Sequence, residues 1–277
     1  METESALEPF LKWPGGKRWL VSRYSDLFPQ KFERYIEPFL GSGAVFFYLN
    51  PQNAILADTN RELIATYRAV RDRPDVVSRW LSRYDRRHSK KFYYGVRAEF
   101  PRSAFGRAAR FIYLNRVCFN GIYRVNLRGE FNVPLGSKER VKFSRGYLVN
   151  VAARLRRANF RTSDFESVIA EATKGDFLYV DPPYTVTHNN NGFLKYNDVL
   201  FSWEDQRRLA TAVAKAARRG AFVFVSNAYH WSVRELYQPL GNSRRLARYS
   251  ILSADSDGRR STREAAFFNY SLKKPGK

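Results

Sequence analysis

The sequence predicts an α/β fold, an open sheet packed with helices and interrupted by a mainly helical insert. Three observations carry this. Short apolar runs alternate with longer amphipathic stretches along most of the chain. Strand-like runs vanish between Asp58 and about Arg145, where the pattern is first helical and then rich in Gly, Asn and Arg. Two turns rich in glycine or proline directly follow apolar runs, at the strand ends where open α/β sheets hold their ligands. The length of 277 residues suits a catalytic domain carrying a smaller insert. The expected division is an α/β domain of residues 1–58 and 146–277, with residues 59–145 as the insert.

Taken in order, Lys17–Phe28 reads as an amphipathic helix and Arg34–Glu37 as a strand. Ala44–Leu49 is an apolar run opening just after glycines, which predicts a buried helix. Ala54–Ala57 is a short buried strand. Arg61–Arg71, Pro74–Arg87 and Arg107–Asn115 have helical spacing and make up the insert's regular part. Phe177–Val180 and Ala221–Ser226 are almost wholly apolar, as strands covered on both faces are. The helix Glu204–Arg219 lies between them, and Arg248–Leu252 and Ala265–Tyr270 are the last expected strands.

Charge narrows the function classes. Lys and Arg number 48 against 26 Asp and Glu, a net charge of +22 with a pI near 10.3, which favours a polyanionic partner. Pairs such as Arg86-Arg87, Lys90-Lys91, Arg156-Arg157 and Arg259-Arg260 are scattered, so no single tail accounts for the excess. The apolar fraction of 44% supports a substantial core, and 16% aromatic residues leave rings over for stacking on a ligand. A single cysteine, Cys118, allows no intramolecular disulfide and suits a reducing compartment. Met1–Glu8 lacks the basic-then-apolar order of a signal peptide, and no apolar run reaches the length of a membrane span. The expected location is cytoplasmic, with no membrane partner and a monomer in solution.

Four segments carry chemistry. Glu37-Pro38-Phe39-Leu40-Gly41-Ser42-Gly43 follows a strand and opens a helix, and its glycines let the backbone approach a ligand. Asp58 ends the next strand 21 residues after Glu37, a spacing at which an acidic residue commonly accepts from ribose hydroxyls. Phe46 stands where a dinucleotide fingerprint needs its third glycine, so the expected ligand is a nucleoside without a pyrophosphate. The second segment, Asp181-Pro182-Pro183-Tyr184, follows the strand Phe177–Val180. The N6 amine of adenine is a poor nucleophile because its lone pair is delocalised into the ring. The Asp181 carboxylate and the Pro182 carbonyl can accept from that amine and favour a pyramidal nitrogen. Pro183 stiffens the turn, and Tyr184 can stack on an extruded base. Lys12-Trp13-Pro14-Gly15-Gly16-Lys17 reads as a ligand loop leading into a helix. The fourth segment runs from Asn115 to Asn126 and continues through Gly129 to Pro134. Its Arg116, Asn120, Arg124 and Asn126 suit base edges, and Phe119 suits a wedge or a stack.

In this order the four segments resemble the Dam family of DNA adenine methyltransferases, the alpha group or D12 class of amino-methyltransferases. The similarity extends to Ala57-Asp58-Thr59-Asn60, Phe201, Asp205-Gln206, Leu209 and Ser226-Asn227, and runs from about Phe10 to Tyr270. The resemblance implies a Rossmann-like methyltransferase core that uses S-adenosylmethionine, releases S-adenosylhomocysteine and needs no metal. It implies donor contacts at Trp13, Lys17, Asp58 and Asp181, with Gly15 and Gly16 in the same loop. Glu37 and Phe39 are further donor-binding residues, the Gly41–Gly43 loop lines the donor's amino-acid end, and Asp164-Phe165 holds its adenine. It implies that Lys12, Phe119, Ile122, Arg124, Asn126 and Pro134 face double-stranded DNA, with GATC as the target. Ser137-Lys138 replaces the Arg-Tyr that such enzymes often carry, leaving Lys138 as this turn's cation.

Two other readings compete. One is an amino-methyltransferase acting on a different DNA site, on RNA adenine or on a protein glutamine; glutamine enzymes usually carry Asn at the position of Asp181. The other is a catalytically silent DNA-binding protein on the same fold, against which the intact Asp181–Tyr184 segment argues. Cytosine C5 methylation needs a nucleophilic Cys in the active loop, and Cys118 is expected to be a partly buried structural thiol instead. His88, His188 and His230 are isolated and expected as surface or capping residues.

Overall fold

The structure, a computed structural model, describes residues 7–126, 128–138, 140–141, 143, 146–185, 201–248 and 262–272. The expectations for His188, Arg259-Arg260 and residues 249–252 therefore lie outside the described residues.

The architecture is α/β, with a seven-stranded sheet in the order β3-β2-β1-β4-β5-β7-β6. The strands are β1 (Tyr35–Glu37), β2 (Ala54–Asp58), β3 (Ala158–Thr162), β4 (Phe177–Val180), β5 (Phe222–Ala228), β6 (Asn242–Arg248) and β7 (Thr262–Phe268). β1 pairs in parallel with β2 and with β4, and β4 with β5. β7 pairs antiparallel with β5 and β6. The helices are α1 (Arg18–Tyr24), α2 (Ala44–Leu49), α3 (Arg61–Asp72), α4 (Pro74–Arg86), α5 (Lys90–Ala98), α6 (Ala104–Val117), α7 (Tyr147–Leu155), α8 (Phe165–Ala170), α9 (Trp203–Arg218) and α10 (Trp231–Tyr237). The chain forms two compact units. One comprises Met1–Val21, Leu40–Gln52 and Asp58–Thr162; the other comprises Ser22–Phe39, Asn53–Ala57 and Ser163–Lys277.

In the first unit, capping fixes the helix starts. Asn60 accepts from Leu63 N ahead of α3, Ser89 from Phe92 N ahead of α5, and Ser103 from Gly106 N ahead of α6. Pro74 occupies the first turn of α4, where its missing N–H costs nothing. Ten of the fourteen α6 residues are buried, among them Phe111, Tyr113 and Asn115, so α6 is the centre of this unit's helical core. The Arg110 guanidinium is buried with them and donates to the Val96 and Arg97 carbonyls.

In the second unit, β4 and the Val223–Val225 stretch of β5 are buried without a break, as doubly covered parallel strands are. Ile36, Leu178, Val180, Val223 and Val225 pack with Leu209, Val213 and Ala216 of α9 and with Phe165, Val168 and Ile169 of α8. Ser202 and Asp205 form a reciprocal capping box that starts α9.

Of the strand expected at Arg248–Leu252 only Arg248 is described, in β6, which begins six residues earlier at Asn242. Asn242-Ser243-Arg244-Arg245 lies in the strand at the rim of the sheet, where polar and charged residues protect an exposed edge from further pairing. Lys17–Phe28 is shorter as an α-helix than expected, tightening into a 3-10 turn at Ser25–Leu27. β3, α5, α7, α8 and α10 were not foreseen.

Candidate functional site

In the first unit the Trp13 loop and the glycine loop pack on each other. Gly41 has a left-handed backbone (φ 46°), and a Cβ there would lie 2.8 Å from Trp13 Cδ1, so the indole fits only against bare backbone. The indole also stacks on Tyr123 at 5.6 Å and 16°. Tyr123 in turn donates to Glu62 at 2.9 Å, and Tyr67 donates to the Gly41 carbonyl at 3.1 Å. Gly16 N donates to the Trp13 carbonyl, closing the Trp13–Gly16 turn, and the buried Lys17 ammonium donates to the Gly15 carbonyl at 2.9 Å. Asp58 accepts from Gly41 N at 3.2 Å and from Asn60 N at 2.9 Å. Burial pushes its carboxyl up, and the backbone donors Asn60, Gly41 and Thr59 oppose that by favouring the charged form. A carboxylate holding two such bonds keeps lone pairs for a ligand's hydroxyls.

The Arg/Asn-rich segment is a hairpin. Val125 bridges Phe131, Cys118 bridges Leu135, and Phe119 N donates to the Pro134 carbonyl. Asn115, wholly buried, exchanges hydrogen bonds with the Lys12 backbone at 2.9 and 2.7 Å, and so ties the Lys12 loop to α6. Phe119 is 52% exposed, Asn120 is exposed in a left-handed conformation (φ 53°), and Arg124, Pro134 and Lys138 are exposed. Ile122 is half-buried. Arg124 donates from Nε to Asn132, an orientation that fixes the guanidinium at the hairpin surface. Asn126 spends its side chain on the turn: Oδ1 accepts from Arg128 N and Glu130 N, and Nδ2 donates to Glu130. Arg116 is half-buried with its guanidinium 5.0 Å above Phe143. Burial and the neighbouring cations Lys138 and Arg116 lower the Lys12 ammonium to about 8.

Cys118 was expected to be partly buried; it is 3% exposed, with its thiol toward the Ile122 carbonyl at 3.3 Å. Burial pushes the thiol up to about 11, so it is a poor nucleophile at neutral pH. His88 bonds Tyr113 at 2.7 Å and His230 caps α10.

In the second unit, the sheet order reverses between β1 and β4, and ligands of open α/β sheets sit at the carboxyl ends of strands at such a point. Glu37 ends β1 and Asp181 follows β4. Glu37 and Glu264 are buried and Asp181 is half-buried. Burial holds the Tyr179 phenol well above its ordinary value, and the charges of Asp181, Glu37 and Glu264 push it further. Pro182 is buried, and the Pro183 carbonyl accepts from Gln206 Nε2 at 3.2 Å. Gln206 Oε1 accepts from Asn227 and Tyr237, each at 3.2 Å, so Gln206 and Asn227, one residue from each of the Asp-Gln and Ser-Asn pairs flagged in the sequence, form a buried brace under the Pro-Pro turn. Among the described residues no hydrogen bond reaches the Pro182 carbonyl, which stays available as an acceptor. The half-buried Tyr184 hydroxyl donates to Glu264 at 2.7 Å and lies 3.2 Å from Ser226 Oγ and 3.4 Å from Asp181.

The remaining expected residues of this unit form an aromatic wall. Phe39 stacks on Phe165 at 5.5 Å and 24° and meets Phe201 edge-on. Asp164 caps α8 through Glu166 N, and Arg208 bridges Asp164, Glu166 and Asp205 while lying 5.0 Å above the Phe165 ring. Sequence reasoning missed Tyr123, Tyr67, Arg208 and Glu264. Of these, only Glu264, an acid directly before the apolar run Ala265–Phe268, carried a readable signal. Among the described residues no group of His, Cys, Asp and Glu could hold a metal ion, and no helix is long and apolar enough to cross a membrane.

Comparison with known proteins follows the same segments. Residues 13–254 match the family model described as D12 class N6 adenine-specific DNA methyltransferase. The type II methyltransferase M1.LlaDCHI of Lactococcus lactis subsp. cremoris is 37% identical over 278 aligned residues, covering 95% of this chain and 96% of that protein. The type II methyltransferase M.MjaIII of Methanocaldococcus jannaschii is 37% identical, covering 81% and 85%. The DNA adenine methylase of Escherichia coli (strain K12) is 36% identical, covering 83% and 84%.

Proposed function

This chain belongs to the D12 class N6 adenine-specific DNA methyltransferases, and from the resemblance of its Asn120–Pro134 segment to the Dam recognition hairpin we propose that it methylates the adenine of GATC in double-stranded DNA after flipping that base out of the helix. The family implies S-adenosylmethionine as methyl donor, and the reaction leaves S-adenosylhomocysteine. The donor supplies the methyl group on a sulfonium, which is already an activated leaving group and asks nothing of a metal.

The observation that carries the reading is the Asp181–Tyr184 turn at the end of β4. There a carboxylate, a carbonyl with no hydrogen-bond donor among the described residues and a fixed aromatic ring come within four residues. The Asp181 carboxylate and the Pro182 carbonyl accept from the two N6 hydrogens and hold the nitrogen pyramidal. Pro183 stiffens the turn, whose far side is braced by Gln206. Tyr184 stacks on the flipped adenine.

The remaining lone pairs of Asp58 support a nucleoside ligand. We assign donor binding to Trp13, Gly15, Gly16, Lys17, Gly41, Gly43 and Asp58 of the first unit. Glu37, Phe39, Asp164, Phe165 and Asp181 are assigned to donor binding as well. Asp58 takes the ribose hydroxyls, and the Phe39–Phe165 stack suits a purine face. Residues 59–145 serve as the target-recognition domain. There Arg124 presents its fork to a guanine edge, Ile122 and Pro134 face a thymine methyl, and Phe119 wedges. Arg116, Asn120, Asn126 and Lys138 contact the backbone or base edges, which for Asn126 requires release of its turn.

Lys12 reads a further guanine, and this gives a pH signature. Its ammonium titrates near 8 in the DNA-free protein. DNA binding favours the charged form, so affinity is flat below pH 8 and falls toward tenfold per pH unit above it. Lys12→Arg stays charged through this range. Binding titrations from pH 7 to 9.5 are expected to show the bend in the wild type and lose it in Lys12→Arg. The same bend in both proteins would remove Lys12 from the DNA contact.

The target is tested by methylating a library of short sites and mapping each modified adenine. GATC is the expected preferred core. Arg124→Ala is expected to lower discrimination at one G·C pair by about 1–3 kcal/mol if the contact is bidentate. A different preferred site would overturn the sequence assignment and leave the N6-adenine chemistry standing.

A further inference from the structure

Tyr184 has been assigned a stacking role, and a stacked ring is useful only if it cannot rotate away. Tyr184 follows two prolines, which fix the backbone leading to it but leave its side-chain torsions open. What holds the ring is at its far end. The hydroxyl donates to Glu264 Oε2 at 2.7 Å, the short geometry of a charge-assisted bond, with Ser226 Oγ at 3.2 Å and Asp181 Oδ1 at 3.4 Å.

Glu264 lies on β7, which pairs antiparallel with β5, and its direct partner across the ladder is Ala228. Ser226 sits two residues earlier on β5. The two nearest groups at the Tyr184 hydroxyl therefore come from neighbouring strands joined by one hydrogen-bond ladder. Glu264 is 1% exposed and is followed by Ala265, Ala266, Phe267 and Phe268, all buried. A carboxylate in that setting is costly and needs donors. Glutamate makes no contribution to packing that leucine would not make better.

We propose that Glu264 is a positioning residue for base capture: its buried carboxylate anchors the Tyr184 hydroxyl and holds the ring in the stacking orientation before DNA arrives. The proposal rests on the adenine-stacking role assigned to Tyr184. It separates two functions within one tyrosine, the ring for the base and the hydroxyl for the scaffold. Neither Glu264 nor the hydroxyl touches the transferred methyl, so their loss acts on capture of the base and spares donor binding.

The test uses the full chain in four forms: wild type, Tyr184→Phe, Glu264→Ala and the double variant. Two readouts are taken, fluorescence of a base analogue at the target adenine and single-turnover methylation at saturating donor. Tyr184→Phe keeps the ring and loses the anchor, and is expected to lower both readouts about ten- to a hundredfold, the size of a hydrogen bond to a charged group. Glu264→Ala is expected to match it, and the double variant to be no worse than either, because all three break one bond. Glu264→Gln keeps an acceptor for the hydroxyl and is expected to recover most of the lost signal. Donor affinity, measured without DNA, stays at the wild-type level throughout and confirms folding. If Glu264→Ala fails to fold, Tyr184→Phe and Glu264→Gln still decide the matter. Wild-type behaviour of Tyr184→Phe, or a Glu264→Ala defect that persists undiminished in the Tyr184→Phe background, overturns the anchor. Failure of the stacking role itself gives a different result: Tyr184→Ala would then leave the base-analogue signal unchanged.

Discussion

Asp181→Ala is expected to lower methyl transfer by at least about 10³-fold while the protein stays folded. The magnitude follows from what one well-placed polar group contributes where a reaction develops charge, about 10²–10⁴ in rate. The amine of adenine attacks only when its lone pair is withdrawn from the ring, and Asp181 is the charged member of the acceptor pair proposed to enforce that. Stability should not follow activity. Asp181, Glu37 and Glu264 all act on the Tyr179 phenol, so the site gathers three acids, two of them buried. Removing one relieves repulsion among the rest. The Tyr184 hydroxyl keeps its 2.7 Å bond to Glu264, and the Pro183 carbonyl keeps Gln206. Thermal unfolding of Asp181→Ala should therefore occur at or above the wild-type Tm. Donor affinity is expected to fall as well, because the carboxylate is assigned to the donor's methionine end. Substantial turnover by a folded Asp181→Ala protein would remove Asp181 from the chemistry. A lowered Tm with normal turnover per folded molecule would make it a structural residue.

The parts of this site that the sequence displayed are those in which local chemistry and tertiary role coincide. β4 is four apolar residues followed by Asp-Pro-Pro-Tyr, and both strand and turn can be read without knowing their neighbours. Gly41 and Gly43 announce a turn, and both have positive φ. The parts that stayed hidden depend on distant residues. β3, Ala-Asn-Phe-Arg-Thr, buries only Ala158 and Phe160, too little for an apolar run to show. α5 has a Ser89 cap, yet its Tyr93-Tyr94-Gly95 stretch has weak intrinsic helicity, and buried contacts of Tyr93 and Val96 hold it. The last strand was read as Ala265–Tyr270 but runs Thr262–Phe268, a shift that excluded Glu264, because charge is ordinarily read as a strand's end. Trp13 was legible as an aromatic beside glycines, but its neighbour Tyr123, more than a hundred residues on, was not.

DNA affinity should fall about 10³-fold or more between 50 and 200 mM salt, as expected for six or more neutralised phosphates at a log–log slope of about −0.9 each. The charge distribution is the reason to expect so many. Residues 59–145 hold 21 Lys and Arg against 7 Asp and Glu, a net +14 of the chain's +22 in under a third of its length. Internal pairing does not absorb this excess. Arg71 and Arg73 pair with Asp72 and Asp75, and Arg110 is consumed by backbone carbonyls of the core. Arg86, Arg87, Lys90, Lys91, Arg102, Arg107, Arg124, Arg128, Lys138 and Arg140 are exposed. Several of these cations lie over rings, Arg87 on Phe92 and Arg107 on Phe100, which orders them without neutralising them. A surface of this kind gives the sequence-independent part of binding, to which the hairpin adds the choice of site. Two substitutions divide the two parts. Arg87→Gln should weaken binding to all sequences alike and reduce the salt slope by about 1. Arg124→Gln should leave the slope nearly unchanged and relax the preference for the target. A salt dependence close to flat in the wild type would place the excess charge away from DNA and leave the basic insert without its assigned role.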